Sequence, residues 1–147
     1  MTKIHLPDEN RNGPPIIWLI RLLIALVFAS NIFCAVLFVV NPSGYIQQFD
    51  LAGEAGTVVI SSLGILFIMW NVPYAIAICN PYRYSVALFS ALMMQLIGFL
   101  GEAWIYINIQ SLVNTKSSIM RFMIFDFAGL LFLTVAYILL FVKRKNG

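Results

Sequence analysis

IIWLIRLLIALVFASNIFCAVLFVV, residues 16–40, carries a single charge, Arg21, in an otherwise apolar run. At about 1.5 Å of rise per residue, an α-helix of this length exceeds the roughly 30 Å of hydrocarbon in a bilayer. Three more apolar runs follow at 57–79, 81–113 and 118–142, separated by short polar joints. The 147 residues are 61% hydrophobic and 10% charged, with a mean hydropathy of +0.91, against roughly 25% charged in soluble domains. Water cannot be the solvent for so much apolar surface. The runs are also about twice as long as a barrel strand and lack its period of two. The expectation is one all-α domain over residues 1–147, a polytopic membrane protein whose four transmembrane helices form an antiparallel bundle.

The joints define the connections. Pro14-Pro15 opens the first helix and Asn41-Pro42 stops it, because proline removes a donor and disfavours helix in the residue before it. In NPSGYIQQFDLAGEAG (41–56), the spacing of Tyr45, Ile46 and Phe49 predicts a short helix in the membrane interface, closed by Gly53 and Gly56. Asn80-Pro81 reads as an N-cap followed by an N1 proline, so the third helix restarts at once and lies antiparallel against the second. QSLVNTKSS (110–118) is a polar connection. The opening MTKIHLPDENRNGPP is polar and lacks a small-x-small cleavage site, so the first helix is expected to be retained.

Charge gives the runs a direction. Lys3, Arg11, Arg21, Arg83, Lys143, Arg144 and Lys145 fall on one side, and only Lys116 and Arg121 on the other. By the positive-inside rule both termini are cytoplasmic, in a plasma membrane of bacterial type, and the loop bearing Asp50 and Glu54 faces out. Trp18 and Trp104 with Tyr106 fit the two aromatic belts. The net charge of +3 and pI near 9.0 come mostly from helix flanks, and point to anionic headgroups rather than nucleic acid.

Polar groups within the runs mark where function is to be sought. Ser61, Gly64, Ile68, Asn71 and Ala75 form one helical stripe; Ala87, Ala91, Gln95, Gly98 and Glu102 form another. The two stripes are expected to face each other or a shared interior. Asn31 adds an amide near the midplane of the first helix, and Asp126 with Gly129 a carboxyl on the last. Asn31, Asn71 and Gln95 can be read as interhelical hydrogen bonding that fixes the packing, or as a mid-membrane pocket for a quinone, lipid or other amphiphile. Glu102 and Asp126 can be read as an ion pair or triad with Arg121, or as an acid pair that accepts protons or binds a ligand. Arg21 is expected to snorkel to headgroups.

Several chemistries are excluded. His5, the only histidine, lies in the polar tail, so the helices supply no bis-histidine haem site. Cys34 and Cys79 sit at opposite depths, too far apart for a disulfide, and no C-x-x-C supports a thiol redox pair or zinc. No Gly-rich phosphate loop, nucleophile elbow or voltage-sensor arginine run occurs. No catalytic residue, metal or cofactor is evident from the residues.

Arg21 in RLLIALVFASNIF, the segment NPSGYIQQFDLAG and the basic joint CNPYR together resemble the DoxX-like group of small four-helix membrane proteins. The likeness covers about the first three helices and is mostly architectural. The second helix, VVISSLGILFIMWNVPY, departs from the acidic or Gly-rich motif usual in that group. The resemblance implies quinone-linked chemistry or assembly of other membrane proteins. The resulting expectation is a small non-catalytic subunit or assembly factor of a larger membrane complex or homo-oligomer, with a quinone- or lipid-binding protein as the alternative.

Overall fold

A computed structural model describes residues 15–145, apart from the side chain of Arg144. Lys3, His5 and Arg11 lie outside the described residues. The chain forms α1 (Pro15–Val40), two 3-10 turns (Pro42–Gly44 and Ile46–Phe49), α2 (Gly53–Trp70), α3 (Val72–Cys79), α4 (Ser85–Asn108) and α5 (Val113–Lys145). Helices α2 and α3 make one span, giving four spans long and apolar enough to cross a membrane. The chain is a four-helix membrane bundle. The end where α1 begins and α5 finishes is the terminal face; the opposite end, carrying residues 41–52 and 109–112, is the loop face.

Element boundaries differ from the sequence reading for local reasons. The interfacial helix is replaced by two 3-10 turns, because Asp50 takes a left-handed φ of 52° and Gly53 one of 64°. These reversals end the turns and let α2 begin at Gly53, so Gly56 lies in its first turn, buried against Leu51 and Ile46. The Oδ1 of Asn80 accepts the amides of Tyr82 at 3.1 Å and Arg83 at 3.0 Å. This is cap-like bonding, but residues 81–84 remain a turn and α4 starts at Ser85. At its far end, Ile109 turns extended with ψ 122°, stopping α4 at Asn108.

The second span breaks at Asn71. Pro73 has no N–H, which leaves the carbonyl one turn earlier without its helical partner. The side-chain amide of Asn71 donates to the Phe67 carbonyl at 2.7 Å, competing with the helical ladder there. The result is two helices, α2 and α3, with different neighbours. On the terminal side, α1, α3, α4 and α5 close into a ring in which α3 packs on both α1 and α4. On the loop side, α2 packs on α1, and α4 on α5, but α2 and α4 barely touch.

The bundle therefore has a packed half and a hollow half. Ile20, Ile24, Ala77, Leu88, Ala91, Leu133, Ala136 and Leu140 form the core of the terminal half, all fully buried. The side chains come from α1, α3, α4 and α5, and none from α2. The two polar stripes accordingly do not face each other along their whole length. A Cβ on Gly64 would stand 2.8 Å from the Ala35 carbonyl oxygen and 3.0 Å from the Phe38 Cβ, so the α2 stripe closes on α1. On the α4 stripe, Gln95 bonds to α5. The second span reaches α4 through α3, where the Tyr74 hydroxyl also bonds across.

Arg21 is not a free headgroup anchor. Its Nη2 donates to the Cys79 carbonyl at 2.7 Å, where a cation suits the negative end of α3, and its guanidinium stacks 5.3 Å from the Trp18 ring centroid. Cys34 and Cys79 are both free.

At the loop face, Asp50 caps α5 from outside that helix. Its Oδ2 accepts the Thr115 backbone N–H at 2.8 Å and the Thr115 hydroxyl at 2.9 Å, while its Oδ1 accepts the Asn114 side-chain Nδ2 at 2.8 Å. The Ser118 hydroxyl adds a 2.7 Å bond to the Gln48 carbonyl. The Thr115 N–H, with the other donors, holds the Asp50 carboxyl below its usual range. A lowered value means that this contribution is complete above the ordinary aspartate pKa of about 4 and is lost as pH falls through the lower, folded value. Asp50→Ala should free the 41–52 segment at neutral pH, read as faster exchange of the Thr115 amide. Acidification of the native protein should reproduce that change, and a variant with unaltered exchange would refute the capping role.

Candidate ligand-binding site

The divergence of α2 from α4 leaves a cavity of about 700 Å³ in the loop half, within the usual size of small-molecule sites. Its floor is a polar layer laid on the packed core. The Tyr74 hydroxyl donates to the Gln95 Oε1 at 2.6 Å and approaches the Ala91 carbonyl at 3.2 Å. The Gln95 amide donates in turn to the Asp126 Oδ1 at 2.8 Å. One chain of hydrogen bonds thus ties α3 to α4 to α5. Gly129 makes room for it: a Cβ there would meet the Gln95 Nε2 at 2.7 Å.

The wall is aromatic. Phe38, Phe49, Phe67 and Phe122 cluster with ring centroids 5.9–6.2 Å apart, in edge and stacked arrangements that favour aromatic contact. Trp70 extends this wall from Phe67, with centroids 6.3 Å apart. Phe49 belongs to the loop segment, so the Asp50 cap also holds part of the cavity's roof. Phe122 of α5 thus belongs to the interior. Phe125 also lines the cavity, whereas Phe132 and Phe141 are exposed. The cavity meets the side of the bundle in the gap between α2 and α4, where its lining residues Trp70 on one lip and Ile97, Gly101 and Ile105 on the other are exposed.

Asn31, Asn71, Gln95, Glu102, Asp126 and Arg121 all line this one cavity. Asn71 is 2% exposed and its Oδ1 has no hydrogen-bond partner. A buried Glu102 carboxylate oxygen, Oε2, likewise has none. Among the described residues Asp126 bonds to Gln95, and no ion pair joins Arg121 to either acid. Arg121 lies at the loop-face rim, where it also lines a smaller pocket with Gln47, Gln48 and Asn114. No cluster of metal-binding side chains occurs among the described residues.

Sequence reasoning missed Tyr74 and the aromatic wall. Tyr74 was recoverable, since it falls three residues after Asn71 and so on the same helical face. The wall was not, because Phe38, Phe49, Phe67 and Phe122 come from four separate segments. No protein-family model, curated protein or solved structure matches the chain.

Proposed function

We propose that this protein is a membrane-embedded binding protein for an amphiphilic small molecule of the lipid or quinone class. The head group rests on the Asn71, Gln95 and Asp126 floor, and the tail leaves between α2 and α4. The observation that carries this reading is the pairing of an apolar, laterally open cleft with unsatisfied acceptors at its base. Buried polar atoms are ordinarily hydrogen-bonded, and an exception inside a cavity points to a missing partner. Placement of Arg21, Arg83, Lys143 and Lys145 at the terminal face supports termini in the cytoplasm and a cleft in the outer leaflet. The DoxX-like affiliation rests on the resemblance of Arg21, NPSGYIQQFDLAG and the CNPYR joint. An accessory-subunit role has no observation of comparable specificity, since exposed residues such as Phe33 and Val86 suit a bilayer as well as a protein.

The test is a cleft blocked without harm to the fold. A Cβ on Gly101 would meet nothing within 4 Å, and replacing a helical glycine improves helix propensity by a few tenths of a kcal/mol, roughly. Native protein extracted in polymer-bounded lipid discs should yield about one retained amphiphile per chain by mass spectrometry, as a site of this size accommodates. Gly101→Phe should lose it. Identical extracts from the two proteins would sink the proposal.

A further inference from the structure

The polar nitrogens and the hydroxyl on the floor of the cleft all donate within the protein. The Gln95 Nε2 serves Asp126, the Tyr74 hydroxyl serves Gln95 and Ala91, and the Asn71 Nδ2 serves the Phe67 carbonyl at 2.7 Å. Two buried acceptors remain without a partner, the Asn71 Oδ1 and the Glu102 Oε2; the Asn31 amide also lines the cavity and adds donors and an acceptor. Two carboxyl groups, Glu102 and Asp126, share the cavity. The cation that could serve them, Arg121, lies more than a turn of α5 from Asp126, by about 1.5 Å of rise per residue, and pairs with neither among the described residues. Rings of Phe67, Trp70 and Phe122 line the remaining wall, and aromatic faces attract cations.

Resting on the ligand-binding reading above, we infer that the head group held on this floor is a protonated amine on an apolar tail, an amphiphilic primary ammonium ion. Its three N–H donors match the free Asn71 and Glu102 oxygens, its charge compensates carboxylate in low dielectric, and the ring faces shield what is left. An acceptor-only head, such as a quinone carbonyl, would find the Tyr74, Gln95 and Asn71 donors already engaged, with the Asn31 amide left to serve it and nothing to serve the Asn71 and Glu102 oxygens. A carboxylate head would add like charge.

The experiment compares dodecylamine, dodecan-1-ol, dodecanoate and decylubiquinone on the full chain in phosphatidylcholine nanodiscs. Binding is read by tryptophan fluorescence, since Trp70 lines the cleft, with the Gly101→Phe protein as the correction for partition into lipid. Dodecylamine should bind saturably, roughly tenfold or more tighter than the other three, as one charge-assisted hydrogen bond provides. Glu102→Gln and Asn71→Leu should each weaken it about tenfold with helix content by circular dichroism unchanged. If dodecanol or decylubiquinone binds as tightly as dodecylamine and Gly101→Phe abolishes it, the cleft is a binding site but the ammonium assignment is wrong. Unaltered dodecylamine affinity in Glu102→Gln would also overturn the assignment. If no probe distinguishes native from Gly101→Phe protein, the binding reading itself falls.

Discussion

Gly64→Leu should destabilise the bundle by about 3 kcal/mol, at the upper end of what overpacking costs. The first added atom already collides with backbone: a Cβ at this position would lie 2.8 Å from the Ala35 carbonyl oxygen and 2.8 Å from the Val39 Cγ2. A helix backbone cannot yield as a flexible side chain does, so α2 must move away from α1. Because α2 makes no substantial contact with α4, no other helix compensates. Unfolding by titration with a denaturing detergent should show the loss, and Gly64→Ala should show a smaller one of the same sign. Gly101→Ala, introduced where a Cβ meets nothing, should be neutral or slightly stabilising. Equal stability of Gly64→Leu and native protein would mean that the α1–α2 contact is not close.

Gln95→Leu should cost about 2 kcal/mol, chiefly by leaving the half-buried Asp126 carboxyl without its donor. An ordinary interhelical hydrogen bond in a membrane is worth less than about 1 kcal/mol. Gln95 differs because it accepts from Tyr74 and donates to Asp126, so one substitution opens both joints. Tyr74→Phe removes a single donor and should cost less than half as much. A double variant, Gln95→Leu with Asp126→Leu, should recover most of the stability, since no carboxyl is left without its donor and the Tyr74 hydroxyl keeps the Ala91 carbonyl. Failure of that recovery would place the cost in packing rather than in the polar chain.

Several parts of this arrangement were legible in the residues. The length and apolarity of the four spans required helices across a bilayer, because backbone polar groups in hydrocarbon must be satisfied within the segment. The intramembrane polar residues were a short list, and Asn31, Asn71, Gln95, Glu102 and Asp126 do line one cavity. Boundaries read less well. Asn80-Pro81 carries the residues of a helix start, but capping chemistry is shared with turns, and the turn at 81–84 prevailed. Gly56 looked like a terminator and is instead a contact point for Leu51 and Ile46.

Which residues line the interior of a bundle depends on how each helix is rotated and tilted, and hydrophobic periodicity loses that information when nearly every face is apolar. Phe122 could have faced lipid as plausibly as Phe38. Partner choice was equally hidden: both Gly64 and Gly98 signal close approach, yet one meets α1 and the other faces Asp126 of α5. Asp50 and Thr115 lie far apart in sequence, and nothing local to either foretells their bond.

By itself, then, the sequence determined a membrane solvent, four helical spans and a few polar groups that hydrocarbon will not tolerate alone. Those are consequences of transfer free energy and helix geometry, which act residue by residue. Only the tertiary structure decided that the second span breaks at Asn71 and divides its contacts between α1 and α4. Packing is a competition among whole helix surfaces, and its outcome here leaves the loop half hollow above a hydrogen-bonded floor.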